Sequence, residues 1–157
     1  MNFKMMGRLM AQILTIESIF MVPALFISLY HCETGAVRGF LYTLALMILL
    51  ESVMFLLCRK APDGFYAKEG MVCVGLSWVF LSLLGCLPFY ISREIPSYID
   101  AFFEIVSGFT TTGASILSDV EALSNGILYW RSFSHWVGGM GVLVFLLAFT
   151  GGNGQGF

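Results

Sequence analysis

Charged residues are scarce in this sequence. Only 8 Lys and Arg and 10 Asp and Glu occur among 157 residues, whereas 58% of the residues are hydrophobic. A soluble domain of this length needs more charge to cover its surface, and a disordered chain contains fewer apolar residues. The composition therefore excludes both classes and indicates a protein solvated by lipid. The net charge of -2 provides no basic face for a nucleic-acid backbone, so we expect no nucleic-acid partner.

Cysteine and histidine are also few. The 4 cysteines form no C-x-x-C pair, and neither of the 2 histidines stands at metal-ligand spacing from them, which excludes the common zinc sites. Cys73 and Cys86 lie about 20 Å apart along one predicted helix, too far for a disulfide. We interpret the cysteines as free thiols buried in the membrane.

Long apolar runs dominate what is present. They cover residues 9–30, 39–58, 71–92 and 127–150. Each has the roughly 20 residues that a helix needs to cross about 30 Å of hydrocarbon, and none shows the alternation of a barrel strand. The first run is too long for a signal peptide and has no small-residue cleavage site, so we expect it to be retained. The sequence predicts an all-α membrane protein with four transmembrane helices.

Lysine and arginine are distributed unevenly between the two ends of these helices. One side carries Lys4, Arg8, Arg59, Lys60 and Lys68, and the other carries Arg38, Arg93 and Arg131. Positively charged loops stay in the cytoplasm. We therefore expect a multi-pass protein of the plasma or inner cell membrane with a cytoplasmic N-terminus.

A short apolar segment lies between the third and fourth runs. Residues 98–107 predict a helix, because Ser97 suits an N-cap and Asp100 occupies the acidic position of a capping box. Ten residues are too few to span a bilayer. A short apolar helix between two spanning helices is either interfacial or re-entrant.

Small and hydroxyl-bearing residues follow this helix, with the sequence GFTTTGAS over residues 108–115. Glycine permits positive φ, so an extended strand can turn successive carbonyl oxygens to one side, and threonine adds side-chain oxygens. The C-terminal end of the preceding helix is partly negative and favours a cation. The pattern predicts a re-entrant pore helix with an extended filter strand for a cation, and an external polar loop is the alternative.

Several other residues are candidates for supporting roles. Gly138, Gly139 and Gly141 allow another backbone to approach closely, so we expect them to pack against the re-entrant segment. Glu104 lies one turn before the filter and either hydrogen-bonds behind it or is exposed in an outer vestibule. We interpret Trp130 and Arg131 as interfacial anchors. Glu17 and Glu51 lie inside uncharged spans, and we favour protonated or helix-paired carboxyls over a functional charge.

Three segments together resemble a known family. They are AFFE at residues 101–104, GFTTTGAS at 108–115 and WRSFSHWVGGMGVLVFLLA at 130–148. They are similar to the first pore repeat of the membrane subunit of Trk-type potassium uptake proteins, in the Trk/Ktr/HKT superfamily. The first two predicted spans resemble the additional N-terminal helix pair of those subunits. The organisation implied is a helix pair over 1–70, a helix, pore-loop, helix repeat over 71–150 and a glycine-rich tail over 151–157.

The resemblance implies potassium transport rather than an enzymatic activity. The potassium ion would be the substrate, with no covalently bound cofactor. One quarter of the selectivity filter would be formed by Thr110, Thr111, Thr112, Gly113 and Ala114. Glu104 and the glycines at 138, 139 and 141 would support it. Family members carry four such repeats in one polypeptide, usually form homodimers and bind a cytoplasmic nucleotide-binding regulatory subunit.

This sequence contains one repeat, so we expect the N-terminal third of a transporter, as a fragment or a truncated product. One loop supplies one carbonyl at each level of a ring, and it would conduct only with other repeats of the same or sister chains. A homotetramer and a non-conducting assembly module are alternatives. A remote alternative from another class of protein is an intramembrane serine hydrolase with Ser115 as nucleophile and His135 as base. Against it, Ile116 occupies the position at which a nucleophile turn requires glycine.

Overall fold

The computed structural model describes residues 3–58 and 67–151, and over those ranges the chain is helical with no β-ladder. The helices are α1 (Phe3–Tyr30), α2 (Thr34–Leu57), α3 (Ala67–Gly85), α4 (Leu87–Ile91), α5 (Tyr98–Phe109) and α6 (Asn125–Gly151). The prediction of an all-α membrane protein is confirmed.

Three stretches of the described residues are long and apolar enough to cross a membrane: Lys4–Tyr30, Thr34–Leu57 and Val72–Ile91. The predicted fourth span, 127–150, lies within α6, a helix of 27 residues. Because α6 rises about 40 Å at 1.5 Å per residue, it is also long enough to cross. The side chains of residues 142–151 lie outside the described part of α6.

Helices α1 and α2 form an antiparallel pair joined by a short turn at residues 31–33. Glu51 of α2 is paired inside this hairpin: its carboxylate accepts a hydrogen bond from Ser18 Oγ at 2.6 Å and a longer one, at 3.2 Å, from Thr15 Oγ1, whose proton is shared with Ala11 O at 2.9 Å. Two hydroxyls of α1 therefore solvate the carboxylate that the sequence places in an uncharged span.

The third predicted span, 71–92, is not one continuous helix. The helix is interrupted at Cys86, and α4 begins at Leu87 with Pro88 in its first turn. Proline has no amide hydrogen, and its ring clashes with the carbonyl four residues earlier. The proline therefore ends α3 and begins a new helix, which the apolar composition alone conceals.

Helix α5 enters the bundle and the chain returns to the same end. Its start is near that of α6, because Glu94, just before α5, accepts hydrogen bonds from the backbone and side chain of Ser124 at 2.8 and 2.5 Å. Its 12 residues extend about 18 Å. Phe109, its last residue, lies against Gly138, the fourteenth of the 27 residues of α6. Helix α5 therefore ends at the middle of α6, as a re-entrant helix does.

The buried core joins all six helices. It contains Leu14, Met21 and Ala24 of α1, Phe40 and Met47 of α2, Leu81 and Leu84 of α3, Phe89 of α4, Ile105 and Phe109 of α5, and Ile127 and Trp130 of α6. Helix α1 contacts α3 and α6 as well as α2. Helices α1 and α2 are therefore packed onto the rest of the chain and are not a separate unit.

Some predictions fall on parts of the chain that the structure leaves undescribed. Arg59 and Lys60 lie in the undescribed loop 59–66, and the side chain of Lys68 is not described. The glycine-rich tail lies outside the described residues from residue 152 onward. The orientation in the membrane and the three-part division of the chain stay predictions.

Candidate ion-conducting segment

Helix α5 ends in a Schellman turn. The N–H of Thr111 donates to Gly108 O at 2.9 Å and the N–H of Thr112 donates to Ser107 O at 3.0 Å, the two bonds that define this motif. Ser97 caps the other end by accepting a hydrogen bond from the Asp100 N–H at 3.4 Å. The helix extends two residues beyond the predicted end at 107, because the threonines and Gly108 continue its hydrogen bonding.

The turn requires a left-handed residue, and that residue is Thr111, with φ of 55°. Positive φ is unusual for a β-branched side chain and costs about 1–2 kcal/mol relative to glycine. Gly113 follows with φ of 75°. Gly108, which the sequence suggested as a flexible start of the strand, is instead a buried residue within α5. The irregular segment therefore begins at Thr112, four residues after the predicted start of the strand at Gly108 and two after Thr110, the first of the predicted filter residues.

Residues 112–115 are irregular, exposed backbone. Within residues 3–58 and 67–151, no hydrogen bond reaches the carbonyl oxygens of Thr111, Thr112 and Gly113. The flanking carbonyls differ, because Thr110 O accepts from Thr111 Oγ1 at 2.7 Å and Ala114 O accepts from Ser107 Oγ at 2.5 Å. Three consecutive carbonyl oxygens are therefore left available for a ligand.

Threonine hydroxyls lie beside these oxygens. Thr110 Oγ1 donates to Val106 O at 2.7 Å and lies 2.8 Å from Thr112 Oγ1. Because the Thr110 proton is directed to Val106, Thr112 is the donor of the second bond. These two hydrogen bonds hold both hydroxyls at the C-terminal end of α5, where the last carbonyl groups carry partial negative charge.

Glu104 anchors the segment from behind. Its side chain is 0% exposed, and its carboxylate accepts hydrogen bonds from Ser115 Oγ at 2.9 and 3.1 Å and from the Ile116 N–H at 3.2 Å. It also forms an ion pair with Arg131 Nε of α6 at 2.5 Å. One carboxylate thus connects α5, the end of the irregular segment and α6.

The interpretation of Trp130 and Arg131 as interfacial anchors is wrong. Trp130 lies in the buried core, and Arg131 is also largely enclosed. Its side chain is only 14% exposed and pairs with Glu104. Glu104 is the sole charged residue of the sequence between 101 and 118, and Arg131 is the sole one between 122 and 157. Two opposite charges in otherwise apolar segments are expected to pair, and this was the signal that the sequence analysis missed.

The predicted glycines occupy three different environments. A Cβ on Gly138 would overlap the carbonyl of Phe109, whereas one on Gly139 would lie 3.9 Å from Thr111 Cγ2. Gly141 lies against the Trp78 ring of α3, 2.8 Å from where its Cβ would be, rather than against α5. Gly141 comes three residues after Gly138, so it lies on the same side of α6 but about 4.5 Å further along the axis, where the neighbour is α3 instead of α5. Gly138 is therefore a position at which the backbone of α5 lies directly against α6.

Ser115 and His135 do not form a catalytic pair. Ser115 Oγ donates to Glu104, and His135 Nδ1 lies 3.0 Å from the carbonyl oxygen of Arg131, one turn earlier on α6. A nucleophilic serine requires a base within hydrogen-bond distance. Each side chain has another partner, so the structure gives no support to the hydrolase hypothesis.

Glu33 fixes the start of α6. Its carboxylate accepts the N–H of Asn125 at 2.7 Å, the N–H of Gly126 at 3.1 Å and Asn125 Nδ2 at 2.9 Å. Partial burial raises the pKa of Glu33, but these hydrogen bonds and the nearby His31 outweigh that effect, so the pKa lies below its usual value. The loop of the N-terminal pair therefore caps the helix that follows the irregular segment.

Comparison with known proteins places this geometry in a family. Residues 37–152 match the model of the TrkH family, described as cation transport protein. That match includes α3 to α6 and nearly all of α2, and therefore the whole candidate segment.

Individual relatives cover most of the chain. An uncharacterized cation transporter of Methanocaldococcus jannaschii is 36% identical over 133 residues, or 84% of this chain and 27% of the relative. The Trk system potassium uptake protein TrkH of Halomonas elongata is 34% identical over 149 residues, which are 94% of this chain and 31% of the relative. The Trk system potassium uptake protein TrkG of Escherichia coli is 30% identical over 132 residues, which are 83% of this chain and 27% of the relative.

The chain thus spans about three tenths of the length of these curated relatives. The family match covers well over half of the chain and contains the re-entrant helix and the irregular segment after it. This chain belongs to the TrkH family of cation transport proteins.

Proposed function

We propose that this chain takes part in potassium transport across the cell membrane and contributes one quarter of a cation-selective pore. The observation that carries the proposal is the group of three unpaired carbonyl oxygens at Thr111, Thr112 and Gly113, exposed at the end of a re-entrant helix that stops at the middle of α6. Carbonyl oxygens that replace the hydration shell of an ion are the basis of cation filters.

Within the predicted filter residues, we assign two roles. The oxygens of Thr111, Thr112 and Gly113 would face the ion. Thr110 and Ala114 would position the segment instead, because the carbonyl oxygens of both accept hydrogen bonds within the chain. Glu104, Arg131 and Gly138 would hold the segment against α6.

The proposed selectivity for potassium is supported by the names of the relatives and not by the oxygens themselves. The proteins of Halomonas elongata and Escherichia coli are named as Trk system potassium uptake proteins. One segment offers one oxygen at each level of a ring, so we propose that further pore repeats of the same or sister chains complete the filter. A homodimer of the full-length protein and a cytoplasmic nucleotide-binding subunit are the proposed partners, and the N-terminus is proposed to be cytoplasmic.

A flux measurement with Gly113→Ser tests the proposal. Serine at φ of 75° is strained by about 1–2 kcal/mol. If the carbonyls shift to relieve the strain, potassium preference over sodium should fall about tenfold, the factor that corresponds to 1.4 kcal/mol. The measurement is rubidium and sodium uptake by the full protein in proteoliposomes.

The matched control is Gly75→Ala on α3, where an added Cβ would meet no atom within 4 Å. This variant should keep the selectivity of the parent protein. Unchanged selectivity in Gly113→Ser, in protein that folds and transports, would overturn the assignment of the segment to the filter.

A further inference from the structure

Glu17 is a buried carboxyl without a hydrogen-bond partner. It occupies the middle of α1, is 4% exposed, and neither of its oxygens has a partner among the described residues. Glu51 of α2, the other acidic residue of the N-terminal pair within a span, has two hydroxyl partners. An ionised carboxylate in such a position raises the free energy of the folded protein, because a charge has been moved out of water, unless the carboxylate is paired or hydrated.

The chain folds around this carboxyl rather than excluding it. Glu17 lines a cavity of about 110 Å³ together with Leu81 of α3, Phe109 of α5 and Trp130 of α6. On α3, Gly85 leaves room for the side chain, since a Cβ at that position would lie 2.7 Å from Glu17 Oε1. The volume is sufficient for water-sized ligands. The lining supplies little polarity, because the Trp130 indole N–H already donates to Gly85 O at 2.9 Å.

No counter-ion faces Glu17 within the described part of the chain. The titratable groups that interact electrostatically with it are Glu51 on α2 and Cys86 after α3, both acidic groups. On α5 and α6, Glu104 and Arg131 are paired with each other. His135, also on α6, contacts the carbonyl oxygen of Arg131. A negative charge on Glu17 would therefore face acidic groups and a desolvated surrounding, with no free cation among the described residues to compensate it.

We propose that Glu17 is a proton-binding site that holds a neutral carboxylic acid at neutral pH, and that it is the site at which an apolar carbodiimide modifies this protein. A carboxylic acid adds across the carbodiimide: its oxygen bonds to the central carbon and its proton passes to one nitrogen. The acyl group of this O-acylisourea then migrates from oxygen to nitrogen. The N-acylurea product retains every atom of both reactants, so the step needs no other reagent.

The position of the cavity gives the site a consequence for transport, which rests on the proposed function. Phe109 lines the cavity and directly precedes Thr110, the first residue of the candidate filter. An acylurea on Glu17, or a charge that draws water into the cavity, would displace Phe109, the residue directly before the candidate filter. Modification of Glu17 is therefore expected to slow cation flux.

The test uses membrane vesicles that contain the whole protein, treated at neutral pH with dicyclohexylcarbodiimide and analysed by peptide mass spectrometry. We expect the added mass of one carbodiimide on Glu17, and its loss in Glu17→Gln. Glu51 is the matched comparison, since its carboxylate oxygens accept hydrogen bonds from Ser18 and Thr15 whereas the oxygens of Glu17 have no partner among the described residues. A water-soluble carbodiimide with an amine nucleophile should label the exposed Asp119 and Glu121 instead.

Two results would overturn the proposal: no modification of Glu17 while Glu51 is modified, or modification of Glu17 only under acidic conditions. Flux is measured on the same vesicles. Labelled Glu17 with unchanged rubidium uptake would remove the consequence for transport and leave the proton site in place. Failure of the filter test at Gly113 would remove the proposed function without changing the labelling result.

Discussion

Thr111 is the residue at which local strain and the candidate site coincide. The Schellman turn that ends α5 needs a left-handed residue, and glycine normally fills that position. Threonine there, with φ of 55°, places a hydroxyl where glycine has none and makes the turn less stable. Strain held at a functional site indicates that the surrounding structure fixes the position.

Replacing Thr111 with glycine should therefore stabilise the fold while it harms the site. Relief of the left-handed strain outweighs the added entropy of glycine in the unfolded chain by at most about 1 kcal/mol. We expect a higher thermal midpoint in detergent and weaker potassium selectivity. Thr112→Gly is the control, because Thr112 does not have positive φ and should lose stability. A fall in the midpoint of Thr111→Gly would contradict the strain argument.

The Glu104–Arg131 ion pair is the second feature at this scale. Removal of one partner leaves the other charge buried, so Glu104→Gln and Arg131→Met should each destabilise the protein by about 3–5 kcal/mol. The double variant removes both charges and should lose less than the sum, with a coupling energy of about 0.5–3 kcal/mol. Denaturant unfolding of the four proteins in detergent measures this cycle. Additive losses would show that the two side chains act independently.

At the scale of elements, Gly138 lets the backbone of α5 lie against α6. Gly138→Ala places a methyl group on the Phe109 carbonyl, and overpacking of this kind costs about 1–3 kcal/mol. Gly139→Ala has room, with its nearest atom at 3.9 Å, and should be neutral or gain up to about 1 kcal/mol of helix propensity. The measurement is the thermal midpoint of each variant in detergent, which should fall for Gly138→Ala and not for Gly139→Ala. Equal effects would place the close approach elsewhere on α6.

The connection between the α1–α2 loop and α6 should depend on pH. Because hydrogen bonds at the start of α6 lower the pKa of Glu33, its stabilising effect is complete above the pKa of the unfolded chain. It is lost as the pH falls through the lower pKa of the folded state. A carboxylate at a helix N-terminus contributes about 0.3–1 kcal/mol.

Glu33→Gln should therefore lower the thermal midpoint at neutral pH. It should also reduce the amount by which the thermal midpoint falls when the solution is acidified. The control is Glu121→Gln, because Glu121 is an exposed carboxyl in the segment between α5 and α6 and does not cap any of the described helices. Identical acid profiles for the parent protein and Glu33→Gln would show that this cap does not contribute to stability.

At the scale of the whole molecule, two cysteines mark opposite ends of α2. Cys32 precedes that helix and is exposed, and Cys58 follows it and is partly buried. With 24 residues, α2 separates them by about 36 Å, more than the hydrocarbon thickness. If the N-terminus is cytoplasmic, a membrane-impermeant maleimide should label Cys32 in intact cells, and Cys32→Ser should abolish this labelling. Labelling of Cys58 alone would reverse the proposed orientation.

The packing of α1 gives the N-terminal helix pair a role in the whole molecule. Helix α1 contacts α3 and α6, and Glu33 of its following loop caps α6. A pair of helices that served only as a peripheral anchor would not need these contacts. Deletion of residues 1–57 is therefore not a neutral truncation of this protein.

The amino-acid sequence alone determines the membrane environment, the helical class and the existence of a short helix before GFTTTGAS, because hydrophobic length and local capping are properties of neighbouring residues. It also suffices for the family. The break at Cys86 was predictable from Pro88 but was hidden by the continuous apolar run.

Tertiary structure decided which charges pair and which oxygens stay free. Glu104 and Arg131 are separated by 27 positions, and Glu17 meets its cavity only where α1, α3, α5 and α6 come together. The left-handed residue is Thr111 and not Gly108, because α5 continues to Phe109, which lies against Gly138 of α6. These outcomes come from contacts between distant segments, whose geometry no local pattern encodes.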